Sequence, residues 1–187
     1  MDTIQNPLLA TYHTPYNTAP FHLIKTEHYE PAILKSMEMH DEEIDAIVNN
    51  PEQPTFANTI VALEGSGATL DRATTILGNL LSAETSDELQ AIAQRVMPKL
   101  SEHNNNISLN EKLFARIKAV YESPESAQLN QEDRMLLDKT YDGFIRNGAN
   151  LPEADKERFR QISSELSVLT LQFSQNNLNE TNSYELH

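Results

Sequence analysis

The side chains best suited to chemistry are six histidines, His13, His22, His28, His40, His103 and His187, and the carboxylates that follow one of them. His40-Asp41-Glu42-Glu43 is the densest set of potential metal ligands. A zinc peptidase helix needs His-Glu-x-x-His, two imidazoles one turn apart with a glutamate to activate water, and that string does not occur. His40 falls on the apolar seam of its helix while the neighbouring carboxylates turn away, so it reads as a satisfied core histidine. Glu38, Asp41, Glu42, Glu43 and Asp45 read as a solvated face, and His22 and His28 as surface or hinge residues. Gly65-Ser66-Gly67 follows no predicted strand and lacks the third glycine of a phosphate loop, and Ser66 has no Gly-x-Ser-x-Gly frame. Asn106-Ile107-Ser108 and Asn179-Glu180-Thr181 match a glycosylation pattern short enough to arise by chance. No catalytic, cofactor-binding or metal-binding residue is assigned on these grounds.

The elements that would carry such residues are helical. The chain has 187 residues, enough for a single domain with a good core, and only five glycines among many Leu, Ala, Ile, Glu and Gln. With 28 acidic and 14 basic residues the formal charge is −14, a field that repels phosphate and makes nucleic acid and anionic membranes unsuitable partners. No apolar run is long enough to span a bilayer, and the N-terminus, Met-Asp-Thr-Ile-Gln-Asn-Pro, lacks a basic-then-apolar signal. Zero cysteines exclude disulfides and thiolate metal sites. That fits the reducing cytoplasm best, with the periplasm as the alternative if a leader has been removed ahead of Met1.

In chain order, Pro7, Pro15 and Pro20 predict an extended arm over residues 1–25 that pins aromatic side chains onto the domain. Residues 26–182 form the helical domain. Thr26 or Glu30 is expected to cap a helix with the seam Ile33, Met37, His40, Ile44 and Ile47, ending near Asn49. Thr55 then caps a long helix whose seam runs Phe56, Ile60, Leu63, Gly67, Leu70, Thr74, Leu77 and Leu81, with a possible kink at Gly65-Ser66-Gly67 and a close helix approach at Gly67 and Thr74. Ser86 opens a third helix that Pro98 should bend or split and that Asn104-Asn105-Asn106 should end. Asn110 and Asn130 open two more, and Asn147-Gly148 is a left-handed stop. After Pro152 comes the most regular pattern, Phe159, Ile162, Leu166, Leu169 and Phe173, a stripe expected to be buried against the preceding helices. The expected fold is all-α, a bundle of about six helices with an N-terminal arm, and residues 183–187 are expected to begin a further element.

Several stretches together resemble the N-terminal helical region of the thimet oligopeptidase family of zinc peptidases. Pro54-Thr55-Phe56-Ala57-Asn58-Thr59-Ile60-Val61-Ala62-Leu63-Glu64, with Ser66-Gly67, Leu70 and Arg72, carries the general likeness. Three more are similar to its bacterial peptidyl-dipeptidase branch: Ser82 to Gln90, Ile107-Ser108-Leu109-Asn110 with Leu113-Phe114-Ala115-Arg116, and Gly148-Ala149-Asn150-Leu151. His28-Tyr29-Glu30-Pro31-Ala32 and Gln172 to Asn176 with Glu180-Thr181-Asn182 extend the likeness across essentially the whole chain. The resemblance implies a parent metallopeptidase that removes dipeptides from the C-termini of short peptides. Its zinc would be held by His-Glu-x-x-His and a further glutamate, and two mostly helical halves would enclose a deep channel. The zinc motif is absent here, so only a structural role carries over, as one wall of the channel, with no cofactor in this part and zinc in the intact parent.

Two readings follow. In one, this is the N-terminal non-catalytic domain of a peptidyl-dipeptidase, partnered by the catalytic C-terminal half of the same polypeptide and by short peptide substrates. In the other, it is a stand-alone acidic helical module that binds a peptide or protein without catalysis.

Overall fold

A computed structural model describes residues 6–183. Among them the fold is all-α: α1 (Tyr29–Val48), α2 (Ala62–Gly65), α3 (Ala68–Ala83), α4 (Asp87–Ser108), α5 (Glu111–Tyr121), α6 (Gln131–Arg146) and α7 (Glu153–Ser183). α7 carries helix through Ser183, and the rest of the element expected at 183–187 lies outside the described residues.

Local chemistry explains most boundaries. The side chains of Ser86, Asn110 and Asn130 accept the backbone N–H groups of Leu89, Leu113 and Asp133, closing the first turns of α4, α5 and α6. α6 ends at Gly148, φ +87°, where Gly148 N–H donates to the Ile145 carbonyl and Ala149 N–H to that of Phe144. This is the left-handed stop read from Asn147-Gly148. Neither Thr26 nor Glu30 caps α1. No side chain caps it: His28 Nδ1 accepts the Lys25 N–H at 3.0 Å, closing the turn that precedes α1, and Glu30 is drawn across to Arg95 of α4 at 2.8 Å.

The long helix expected from Thr55 to Leu81 is broken. Thr55 does cap its start, exchanging hydrogen bonds with Asn58. The first turn, Phe56–Val61, is then wound as a π-helix, and Gly67 at φ +72° ends α2 and opens α3 in a new direction. Pro98 does not split its helix and the asparagines do not end it: α4 runs unbroken through both Pro98 and Asn104-Asn105-Asn106. Proline removes one hydrogen bond to the carbonyl of Gln94, but Gln94 is exposed to water, while Val96, His103 and Asn105 are buried on the packed face and hold the helix together.

Two apolar clusters make the core, and α1 belongs to both. Its first half, Tyr29, Ala32, Ile33 and Met37, packs with Leu70, Ala73, Ile76 and Leu77 of α3 and Leu89, Ile92 and Val96 of α4. Its second half, Ile44 and Ile47, packs with Ile60, with Leu113, Ile117 and Val120 of α5, and with Leu137 of α6. His40 stands between them, half-buried. The N-terminal segment is held by Arg72, which donates to the carbonyls of Leu8 and Ala10 and lies 4.4 Å over the Tyr12 ring. Leu8 and Tyr12 are buried as the arm reading requires, but Tyr16, Phe21 and Leu23 point to water rather than onto the domain.

The expected close approach holds at Gly67: a Cβ built there would fall 2.8–3.0 Å from the His40 ring atoms. Gly67→Ala should therefore cost about 1–3 kcal/mol in urea unfolding, from the positive φ and the displaced ring. Gly65→Ala, where an added Cβ meets nothing within 4 Å, should leave stability unchanged or slightly raised.

Candidate functional site

The histidine singled out in the sequence anchors a chain of polar contacts. His40 Nδ1 lies 3.0 Å from Nε2 of His103, and His103 Nδ1 lies 3.3 Å from the Asp41 carboxylate. On its far side His40 Nε2 is 3.2 Å from Ser66 Oγ, and that hydroxyl donates to the Leu63 carbonyl at 2.7 Å. The Gly67 N–H donates to the Glu43 carboxylate at 2.7 Å. His40 is thus hydrogen-bonded, as read, yet Asp41 and Glu43 do not both turn away: each reaches into the network from an otherwise exposed position. Glu38, Glu42 and Asp45 are exposed, in keeping with a solvated face. His103, buried on α4, is the member that sequence reasoning missed, because no short-range pattern links positions so far apart in the chain.

Asp41 sets the tautomers. A proton on His103 Nδ1 faces the carboxylate, which leaves Nε2 to accept from Nδ1–H of His40. The order Ser66, His40, His103, Asp41 invites comparison with a nucleophile relay, but the surroundings oppose that use. The Ser66 hydroxyl is committed to Leu63 in the turn after α2, and the nearby Gly67 N–H, which would have to stabilise an oxyanion, already holds a carboxylate. Among the described residues no group of three or more His, Cys, Asp or Glu side chains is placed to hold a metal ion. The network joins α1, α4 and the α2–α3 turn.

The second feature is the outer face of α7. The stripe expected to be buried is turned outward: Leu166 is 59% and Phe173 75% exposed, and Ile162 and Leu169 are about half exposed. The helix lies along α4 instead, through the row Ser163, Ser167, Leu171, Gln175 and Leu178, with Gln94 Nε2 donating to Gln175 Oε1 at 3.2 Å. Its first turn is fixed by Lys156, 2% exposed, which donates to Glu111 of α5 at 2.6 Å and lies 3.6 Å from Glu153. The Glu111 bond holds the Lys156 ammonium above its ordinary pKa and the Glu111 carboxyl below its own. Beside the stripe, α4 and α7 enclose an open groove of about 890 Å³, its apolar floor formed by Pro98, Val168 and Leu169. An apolar stripe at helix–helix spacing next to a groove has the composition of a surface that packs against another helix.

Relatives give this face its context. The chain is 39% identical over 173 residues to the dipeptidyl carboxypeptidase of Escherichia coli (strain K12), covering 92% of this chain and 25% of that protein. It is 40% identical over 170 residues to the dipeptidyl carboxypeptidase of Salmonella typhimurium (strain LT2), again 91% of this chain and 25% of that protein. The oligopeptidase A of Escherichia coli (strain K12) is 28% identical over 176 residues, 94% of this chain and 25% of that protein. The chain therefore spans about a quarter of the length of the curated relatives it matches. No family model matches it.

The geometry of α7 separates two outcomes. Phe173→Ala should change the unfolding free energy of this chain by less than about 0.5 kcal/mol, as for an exposed site. Leu137→Ala, in the core, should cost about 2–5 kcal/mol in the same urea titration.

Proposed function

This chain is homologous to the N-terminal quarter of the bacterial dipeptidyl carboxypeptidases and oligopeptidases A, and on that premise we propose that it is the N-terminal, non-catalytic part of a peptidyl-dipeptidase. The observation that carries this is a match over nine-tenths of this chain to only a quarter of each relative, combined with a long apolar helix face that nothing among the described residues covers. The parent would release dipeptides from the C-termini of short peptides. The helices described here would lend it one wall of the substrate channel.

The parent's zinc, which the family resemblance implies, has no fitting donor set among the described residues, so no catalytic step is assigned to them. Their part is to position. α1 ties the two core clusters into one body, Lys156 fixes the start of α7, and α7 presents Ile162, Leu166, Leu169 and Phe173 to the catalytic remainder of the polypeptide. Burying these four side chains would contribute roughly 1.5–3 kcal/mol each, a sizeable fraction of the stability of a domain.

The test compares residues 1–187 with the polypeptide extended to its natural C-terminus, assayed for zinc-dependent release of C-terminal dipeptides from an N-blocked peptide. Activity is expected in the extended polypeptide and none in residues 1–187. Activity in residues 1–187 alone, or a reading frame that ends after His187 with no His-Glu-x-x-His downstream, would overturn the proposal and favour a stand-alone binding module. Leu166→Asp combined with Phe173→Asp should lower the activity of the extended polypeptide at least about tenfold, since each puts a charge into the docked face.

A further inference from the structure

The contacts of His40 and His103 fix how many hydrogens the two rings carry. We propose that the pair holds one proton more than two neutral imidazoles, making the junction of α1, α4 and the α2–α3 turn a cationic clasp that weakens when rising pH removes that proton.

Counting donors leads there. Three contacts occupy the four ring nitrogens: His103 Nδ1 with the Asp41 carboxylate at 3.3 Å, His103 Nε2 with His40 Nδ1 at 3.0 Å, and His40 Nε2 with Ser66 Oγ at 3.2 Å. An ionised carboxylate only accepts, so His103 Nδ1 carries a hydrogen. The contact between the rings needs one more, on either nitrogen. At the far end the one hydrogen of the Ser66 hydroxyl is given to the Leu63 carbonyl at 2.7 Å, so the hydroxyl oxygen accepts and His40 Nε2 is the donor. Three ring hydrogens are required, and two neutral imidazoles have two. A neutral pair gives something up: either the Ser66 hydroxyl leaves a partner at 2.7 Å for one at 3.2 Å, or a bare ring nitrogen faces an acceptor.

The surrounding charge suits a single cation. From α1 the carboxylates of Asp41 and Glu43 act on His40, and from α4 it meets the imidazole of His103. From the turn come the Ser66 hydroxyl and the Gly67 N–H at the positive start of α3, and that N–H is already paired with Glu43 at 2.7 Å. Taken one ring at a time, burial and then repulsion by a charged His103 lower the His40 pKa, against the pull of Glu43 and Asp41. The repulsion acts only when both rings are charged. It therefore blocks a second extra proton and leaves the first to the hydrogen bonds and the two carboxylates.

The sign follows. In the unfolded chain a histidine loses its proton near pH about 6.5, whereas the folded pair keeps its extra proton to higher pH. Between those two values the folded state binds more protons, and stability falls as pH rises. Below about 6.5 the contribution is fully present.

Long-range proton–nitrogen spectra of the histidine side chains in residues 1–187, recorded from pH 5 to 9, count the ring hydrogens directly. Three of the four ring nitrogens of His40 and His103 should show protonated shifts, and loss of the third hydrogen should have a midpoint at least about half a pH unit above that of a blocked histidine peptide. Ser66→Ala removes the acceptor of His40 Nε2, and Asp41→Asn removes the charge facing His103; each should bring the midpoint down to that of the peptide or below. In urea unfolding the folding equilibrium constant should fall by up to about tenfold per pH unit from about 6.5 to the midpoint, and less steeply in Asp41→Asn. Asp41 is largely exposed, so this variant should fold even if Ser66→Ala does not. A midpoint at or below that of the peptide in the unaltered chain, or one that either folded variant leaves unchanged, would overturn the proposal.

Discussion

The close approach of Gly67 to His40 is the constraint on which the rest of the fold depends. α1 is a single helix serving two cores, and it can do so only if the chain that returns across it changes direction at its middle. A residue with no side chain, held at positive φ, lets the backbone turn there against the imidazole. α2 and its π-wound neighbour then lean on one cluster while α3 leans on the other. The polar contacts of His40, His103, Asp41, Ser66 and Glu43 fill a junction that apolar residues would otherwise have to pack, and every ring nitrogen of the pair lies within 3.3 Å of a polar neighbour.

α7 obeys a different logic. Its half-buried row mixes two serines and a glutamine with Leu171 and Leu178, and its more apolar row faces water. A helix arranged this way gains little by lying on α4 alone. Lys156, bound to Glu111, fixes where it starts, and its outer face needs a further surface. The relatives are about four times as long as this chain's match to them.

Much of this was legible in the sequence. Ser86, Asn110 and Asn130 name their helix starts because a side-chain oxygen one residue before a helix satisfies orphan N–H groups whatever the tertiary structure. Gly148 names a stop for the same local reason. The errors arise where tertiary packing overrides local preference: buried Val96, His103 and Asn105 hold α4 continuous through Pro98 and three asparagines. The α7 stripe was identified correctly as a stripe. Periodicity tells which residues share a face, not whether that face has its partner within the same chain. The His40–His103 pair was beyond reach for a related reason, because its two members meet only after α1 and α4 have packed.

The absence of cysteine from the chain makes the central claim directly measurable. Phe173→Cys places a single thiol on the outer face of α7, and Tyr16→Cys, at a site 98% exposed, serves as reference. In residues 1–187 both thiols should react with a water-soluble maleimide at similar rates. In the polypeptide extended to its natural C-terminus, the thiol at 173 should slow at least about tenfold while that at 16 is unchanged. Equal reaction at 173 in both polypeptides would contradict the account, because the apolar face would then remain uncovered.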